Sequence, residues 1–598
     1  MKKAYSLILL LSLSLNAWST TFYFQGGNLN IASNWNDATD GSGTNAVAGD
    51  FAVTSNNWDL NGNSGTTPSI FSINGGFLNS GAAVVLDNVD LAFSGSINAT
   101  GITLANSTNG TSVQYAHASG NIQALPGDYK NLLVLVNPQT ITATGNITVG
   151  DIELNTGDVL DMAGFTLSIG ALNSVLGPTA GATIKTSSTN AALTFTGGAT
   201  DWKVAIEYTG ADNQKVDNTN NFTAGLIISG SDSKLAQGDL TVGSKFIINT
   251  GAKLEMSTFN LIESTTSISS ISGAGALETK NITTTPFPSG KTWGDIRFIF
   301  NAASNSTEYI PSGTYHSVLQ IVSTNTLKAG GDITINDELA DLAGTVDMLG
   351  FKLSGTLSFA NFSTPAIFKT ANISSDPFPS GLTFGSNTKV SLYAAADQTI
   401  PGGTYSDLNI DGTGTKTASG NITVNTLLAF GTSSNSLDMS TYQLLGTPNT
   451  LNFSNSHSLS TQNISSTPIP SGETWPQGVL VIFDASADQT IPAGSYDGAI
   501  ELTGSGTKSA SGNITTSGIV FDDITLDMKT FKLIPATGGF TDLAVTGSNP
   551  TLRTAFVGSF PIPDGATWTA FNMIFEADGI QRVNVGTCTN LTIGGGTG

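Results

Sequence analysis

Acidic side chains recur in this 598-residue chain within one fixed phrase. Asp161, Glu255, Asp347, Asp438 and Asp527 each follow an apolar residue and precede a Met. Paired carboxylates are the machinery of glycoside hydrolysis, and such a pair must lie ~5–9.5 Å apart. Copies of one position four coils apart in a stack of parallel coils would be separated by ~19 Å, at ~4.8 Å per coil. Members of this row therefore cannot pair with one another, and each reads more simply as a polar residue punctuating an apolar turn. The adjacent acids Asp337-Glu338 and Asp522-Asp523 read as solvated strand ends, with a cation or sugar contact as the alternative. No Asp-x-Asp-x-Asp-Gly loop occurs, so a structural calcium ion would depend on backbone carbonyls and scattered carboxylates. Arg297, Arg553 and Arg582 are the only arginines, too few for the basic groove that a lyase acting on acidic sugars needs.

Four lysines, Lys234, Lys328, Lys416 and Lys508, recur just before a Gly-Asn/Asp phrase and read as solvated corner residues. Trp202, Trp293, Trp475 and Trp568 could stack on sugar rings if exposed, and they are the candidate ligand-binding residues. Because apolar strands follow them, core packing is the commoner role. His117, His316 and His457 are isolated, and Cys588 is the one cysteine. That excludes a disulfide framework and a Cys/His metal centre. Cys588 reads as a packed apolar residue. No catalytic residue, cofactor site or metal site is assigned.

The elements that carry these residues repeat. Trp202, Trp293, Phe384, Trp475 and Trp568 follow one another at 91, 91, 91 and 93 residues. Four of them trail a Pro-Phe/Ile-Pro-Ser/Asp-Gly phrase that starts at Pro286, Pro377, Pro468 and Pro561. A Gln column comes next: Gln123, Gln214, Gln398, Gln489 and Gln581, with Glu308 at the missing place. Then come a Pro and a Tyr, at Tyr129, Tyr315, Tyr405 and Tyr496, with Phe222 and Cys588 at that place in the variant units. Gly-Asn/Asp-Ile/Leu-Thr begins at Gly145, Gly238, Gly331, Gly420 and Gly512. A common order at a period of about 92 defines repeat units.

Apolar residues alternate at period two in short runs such as Leu408-x-Ile410 and Ile422-x-Val424, separated by Gly, Asn, Ser and Thr clusters. This predicts an all-β chain. A right-handed parallel β-helix, with four coils of 23 residues per unit, is the leading architecture, and tandem β-sandwich domains are the alternative. The absence of linkers between units, and strands with only two inward residues, favour the solenoid. About 20 such coils would make a rod of roughly 95 Å.

Residues 1–19 read as a signal peptide: Lys2 and Lys3, the apolar run from Leu7 to Leu11, and Ala17-Trp18-Ser19 at the cleavage site. Residues 20–111 read as an N-terminal capping β region and 112–570 as five repeats. Residues 571–598 read as the start of a truncated sixth, because the last eight match Leu408 to Thr415; a longer natural protein is the expectation. The net charge is −22, and charged residues are 11% of the chain against ~25% in ordinary soluble domains. With no basic runs, nucleic acid is excluded as a partner.

Gly27-Asn28-Leu29-Asn30, Asn34-Trp35-Asn36 and Asp40-Gly41-Ser42-Gly43-Thr44 open the mature chain. Together with Pro401-Gly402-Gly403-Thr404-Tyr405 and Gly420-Asn421-Ile422-Thr423-Val424, they resemble the β-strand-repeat surface proteins of bacteria that use type IX secretion. The resemblance covers nearly the whole mature chain and rests on structural words. It implies an exported, adhesin-like protein at the bacterial cell surface, although no C-terminal sorting domain is visible. The expected function is a non-enzymatic scaffold making weak multivalent contacts with an extracellular surface or polysaccharide. The alternative is a polysaccharide-active enzyme or carbohydrate-binding module on a β-helix.

Overall fold

The structure is a computed structural model. It describes residues 20–594 apart from 53–55, 67–70, 74–75, 88, 99, 106–111, 117–121, 130–131, 136–139, 171–180, 191–192, 196–200, 212, 323, 341–343, 360–364, 432, 434, 449, 453–455, 537–539, 541, 565–566 and 584–586. The leader at 1–19 lies outside the described residues. Two compact units, Met1–Ala276 and Leu277–Gly598, divide the chain. Each is a β-solenoid of short parallel strands, so the tandem-sandwich alternative falls away. Among the described residues the helical turns are Ala32–Asn34 and Ala48–Ala52.

One coil shows the construction. Val479–Phe483, Gln489–Ile491 and Gly494–Tyr496 are three successive strands on three faces. The chain then returns as Ala499–Leu502, which pairs in parallel with the first. Each strand alternates inward and outward residues, as in the pattern BiBiB of Val479–Phe483. Val479, Val481 and Phe483 thus stack into the core, while Leu480 and Ile482 stand half-buried on the outer face.

The coil is shorter than the sequence pattern suggested. In the second unit Glu308, Leu327, Val346, Phe368 and Val390 stand in register on one face, four coils in 82 residues. Eight residues beyond Val390 comes Gln398, on the next face. It heads its own ladder of Lys416, Leu437, Leu459 and Val481. Eight residues beyond Val481 comes Gln489, which heads Lys508, Leu526, Leu552 and Met573. A repeat is therefore four coils of about 21 residues plus one face of a fifth, rather than four coils of 23. Equivalent residues turn by one face per repeat instead of lining up.

The first unit keeps the same rule. Ile122, Ile141, Leu160, Ile184 and Ile206 stand in register, and Gln214 follows eight residues later. This corrects the Gln column at its first member. Ile122 occupies the inward place, and Gln123 faces outward, because a one-residue offset in a strand flips the side chain.

Residues 20–111 begin differently. Thr21–Phe24 pairs antiparallel with Trp35–Asn36 and parallel with Asn57–Asp59. Phe24, Trp35, Trp58 and Phe71 are fully buried, with ring centroids 4.8–5.7 Å apart. Parallel coiling is already under way inside this region, since Phe71, Leu91 and Val113 stack in register.

Candidate functional site

Every recurrent polar group singled out by the sequence can now be placed. The Pro-x-Pro phrase lacks the amide hydrogens that a ladder needs. It accepts from the strand below, at Leu353 N–H to Pro377 O (3.0 Å) and Leu444 N–H to Pro468 O (3.1 Å), and the next coil starts a new sheet. The Gln heading that sheet is buried and bridges coil corners. Gln398 Nε2 donates to the carbonyls of Thr370 (3.1 Å) and Asn372 (2.9 Å), and its Oε1 accepts from Ala394 N–H (3.3 Å). Gln489 repeats this with Thr461, Asn463 and Ala485, and Gln214 with Thr186, Ser188 and Gly210. Glu308 accepts from Ala302 N–H and from Asn325 Nδ2. Burial raises its pKa above the usual carboxylate range.

The recurrent lysines are corrected from solvated to buried in three of four cases. Lys234, Lys416 and Lys508 are 0% exposed and stand one coil above a Gln. Lys416 Nζ donates to the carbonyls of Ala394, Ala396 and Thr413 at 2.7–2.8 Å. Lys508 Nζ donates to Ala485 O (2.7 Å) and Gln489 Oε1 (3.1 Å). Burial pulls Lys508 down to about 8 and lowers Lys416 as well. Lys328 is shifted by one residue and faces outward, because Leu327 sits over Glu308. Period-two alternation held the signal: Gln398-x-Ile400, Lys416-x-Ala418 and Lys508-x-Ala510 put Gln and Lys in phase with inward apolar residues.

The acid row shapes corners. Asp161, Asp347, Asp438 and Asp527 each accept, at 2.7–3.0 Å, the amide of the residue two further on. That residue (Ala163, Leu349, Ser440 or Lys529) has a φ of +48 to +52°, a left-handed conformation that the aspartate stabilises. Glu255 instead accepts from Ser233 Oγ and pairs with Lys253. Tyr315, Tyr405 and Tyr496 are buried and donate to the carbonyls of Pro311, Pro401 and Pro492.

Trp202, Trp293, Trp475 and Trp568 are 0–3% exposed, as is Phe384. They are packing residues, and none presents a ring face on which a sugar could stack. His316 is exposed, and His457 is buried beside Phe430 with its pKa lowered by that burial. His117 lies outside the described residues. Cys588 is exposed rather than packed. Asp523 holds a loop by accepting from Ser548 and Asn549 N–H, while Asp337 is exposed and Glu338 half-buried. Among the described residues, no group of three or more His, Cys, Asp and Glu could hold a metal ion. Nor is any helix there long and apolar enough to cross a membrane.

One concavity stands apart from these columns. A surface groove of about 510 Å³ in the first unit crosses five successive coils, from Gly181 to Ser270. Lys203, Lys245 and a set of Ser and Thr residues supply its polar lining, and among the described residues no carboxylate lines it. Nothing in the repeat pattern announced it. Its wall is the twelve-residue strand Leu261–Ser272, which bulges where it pairs with Leu240–Ile248. The run Ser264-Thr265-Thr266-Ser267, without Gly or Pro, was the available signal. Comparison with family models, curated proteins and solved structures finds no match.

Proposed function

We propose that this chain is a secreted or cell-surface structural repeat protein, adhesin-like and non-enzymatic, that acts as a stiff scaffold for weak contacts with surfaces or glycans. The observation that carries this reading is the use made of the recurrent polar groups. Gln, Lys, Asp and Tyr are engaged in bridging coils, capping carbonyls and fixing corners, so what the repeats preserve is architecture.

The turn of one face per repeat refines how contacts would be offered. Ile282, Ile373, Ile464 and Val557 recur as exposed apolar residues at 57–64% exposure, one per repeat. With equivalent positions advancing by a face each time, such contacts point in several directions around the coil axis. Weak contacts of this kind gain through effective concentration when they engage together.

The test presents beads coated with the purified chain to a panel of polysaccharide surfaces, in parallel with a reducing-end and unsaturated-end assay on the same polymers. Retention without release of new ends is the expected result. Release of ends from any polymer overturns the reading.

A further inference from the structure

We propose that the groove of the first unit is a binding site for a linear anionic glycan laid parallel to the solenoid axis. This rests on the non-enzymatic binding reading and adds a site and a ligand class to it. The polar groups along the groove have a regular spacing imposed by the coils. Lys203 and Lys245 lie two coils apart, ~9.6 Å along the axis at ~4.8 Å per coil, and Lys245 falls in register with Ala205, so the two lysines are also offset by two residues across the groove. An extended sugar chain advances by close to one coil spacing per residue. A polymer with an anionic group on every second sugar would therefore match the axial spacing of the two cations, which reach it from either side of the trough.

The floor suits the same ligand. Ala182, Ala205 and Ala224 leave a shallow trough, and Gly225, at φ +147°, makes room for Lys245: a Cβ there would come within 2.8 Å of that lysine's own Cβ. The charge is local and opposed to the rest of the molecule. In a chain of net −22, two lysines line a concavity that, among the described residues, holds no acid. Nearby carboxylates are engaged elsewhere: Glu207 with Lys185 and Ser229, Asp201 with Asn221, and Glu263 with the amide of Ile268. Among the described residues no aromatic ring lines the groove, which favours sugars over the stacked bases of single-stranded nucleic acid.

The experiment titrates the full chain by calorimetry with four probes. These are an oligogalacturonate, a sulfated galactan oligosaccharide, a neutral cello-oligosaccharide and an oligodeoxythymidylate, each at low and high salt. Anionic glycan should bind about tenfold more tightly than the neutral one and weaken with salt. Which anionic probe is preferred tells a carboxylated polymer from a sulfated one. Lys203→Gln with Lys245→Gln should lower affinity about tenfold, whereas Lys215→Gln, an exposed lysine outside the groove, should not. Ala224→Trp should block binding with the charges intact. Absence of binding by either anionic glycan overturns the inference and leaves the scaffold reading standing. So does equal binding by the neutral probe, tighter binding by the oligodeoxythymidylate, or full affinity in the double-lysine variant. Release of new chain ends from a glycan probe defeats the scaffold reading instead.

Discussion

Leu240–Ile248 in the first unit and Ile422–Phe430 in the second are the same phrase in two repeats, each a nine-residue strand turning a corner. What stacks on them differs. Above Ile422 and Leu428 the chain runs from Leu444 to Leu451, bending at Gly446. Gly446 has φ +99°, and a Cβ there would come within 2.0 Å of Val424 O. Above Leu240 and Phe246 it runs from Leu261 to Ile271, three residues longer and without a glycine. At the shorter corner Gly446 lies close over Val424. The longer one stays extended, bulges, and becomes the wall of the groove. Three residues at a corner thus separate a piece of scaffold from a concave surface.

The sharpest way to break this comparison is to exchange the corners' requirements. Gly446→Val should cost about 2–4 kcal/mol, since the left-handed backbone and the close carbonyl both oppose a side chain. Thr265→Val, at the corresponding open corner, should stay within about 0.5 kcal/mol. Chemical denaturation of the two variants checks both values. If the two cost the same, the corners do not differ as described.

A smaller effect is expected at the head of the Gln ladders. Glu308→Gln installs the residue found at Gln398 and Gln489 and removes a buried carboxylate, so the second unit should gain about 1 kcal/mol at pH 7. Glu308's folded pKa is raised. Its favourable contribution is therefore complete below its unfolded value near 4.5 and is lost as pH rises through the folded value. The variant should show its advantage at neutral pH and lose it near pH 4, read from unfolding midpoints across that range.

The smallest effect is alkaline. Lys508 falls to about 8 on folding from an ordinary 10.5, so the unfolded chain binds more protons between those values and stability rises with pH there. Burial raises Tyr115 to about 12 and moves Tyr405 and Tyr496 up from 10. Their contribution is complete below pH 10 and is lost above it. A stability maximum between about pH 8 and 10 is expected, with a rise on the order of 1 kcal/mol that Lys508→Met reduces and that Lys416, also lowered by burial, sustains in part. Thermal melts over pH 7–11 measure it.

Much of the scaffold was legible in the sequence. Period-two alternation in Leu408-x-Ile410 gave strands, and unlinked repeats gave a solenoid rather than separate globules. The coil length was not legible. A period near 92 constrains only a product, and four coils plus one face fills it as well as four longer coils do. The buried Lys416 and Lys508 were missed because charge was taken to mean solvent, although three carbonyls satisfy the Lys416 ammonium. The groove was missed for a different reason. Repetition draws attention to what recurs, and Leu261–Ser272 departs from the pattern.

The central claim is that each repeat advances by four coils and one face. Pulsed dipolar spectroscopy on spin-label pairs in the second unit tests it most directly, with Cys588 replaced by Ser. Thr399 and Ile482 stand on one face four coils apart, so their labels should give a narrow distribution near ~19 Å. Thr399 and Thr490, equivalent in sequence and one face further round, should give a longer distance. A short, narrow distance for the 399–490 pair and a longer one for 399–482 would mean that equivalent residues stack in straight columns, which would contradict the account.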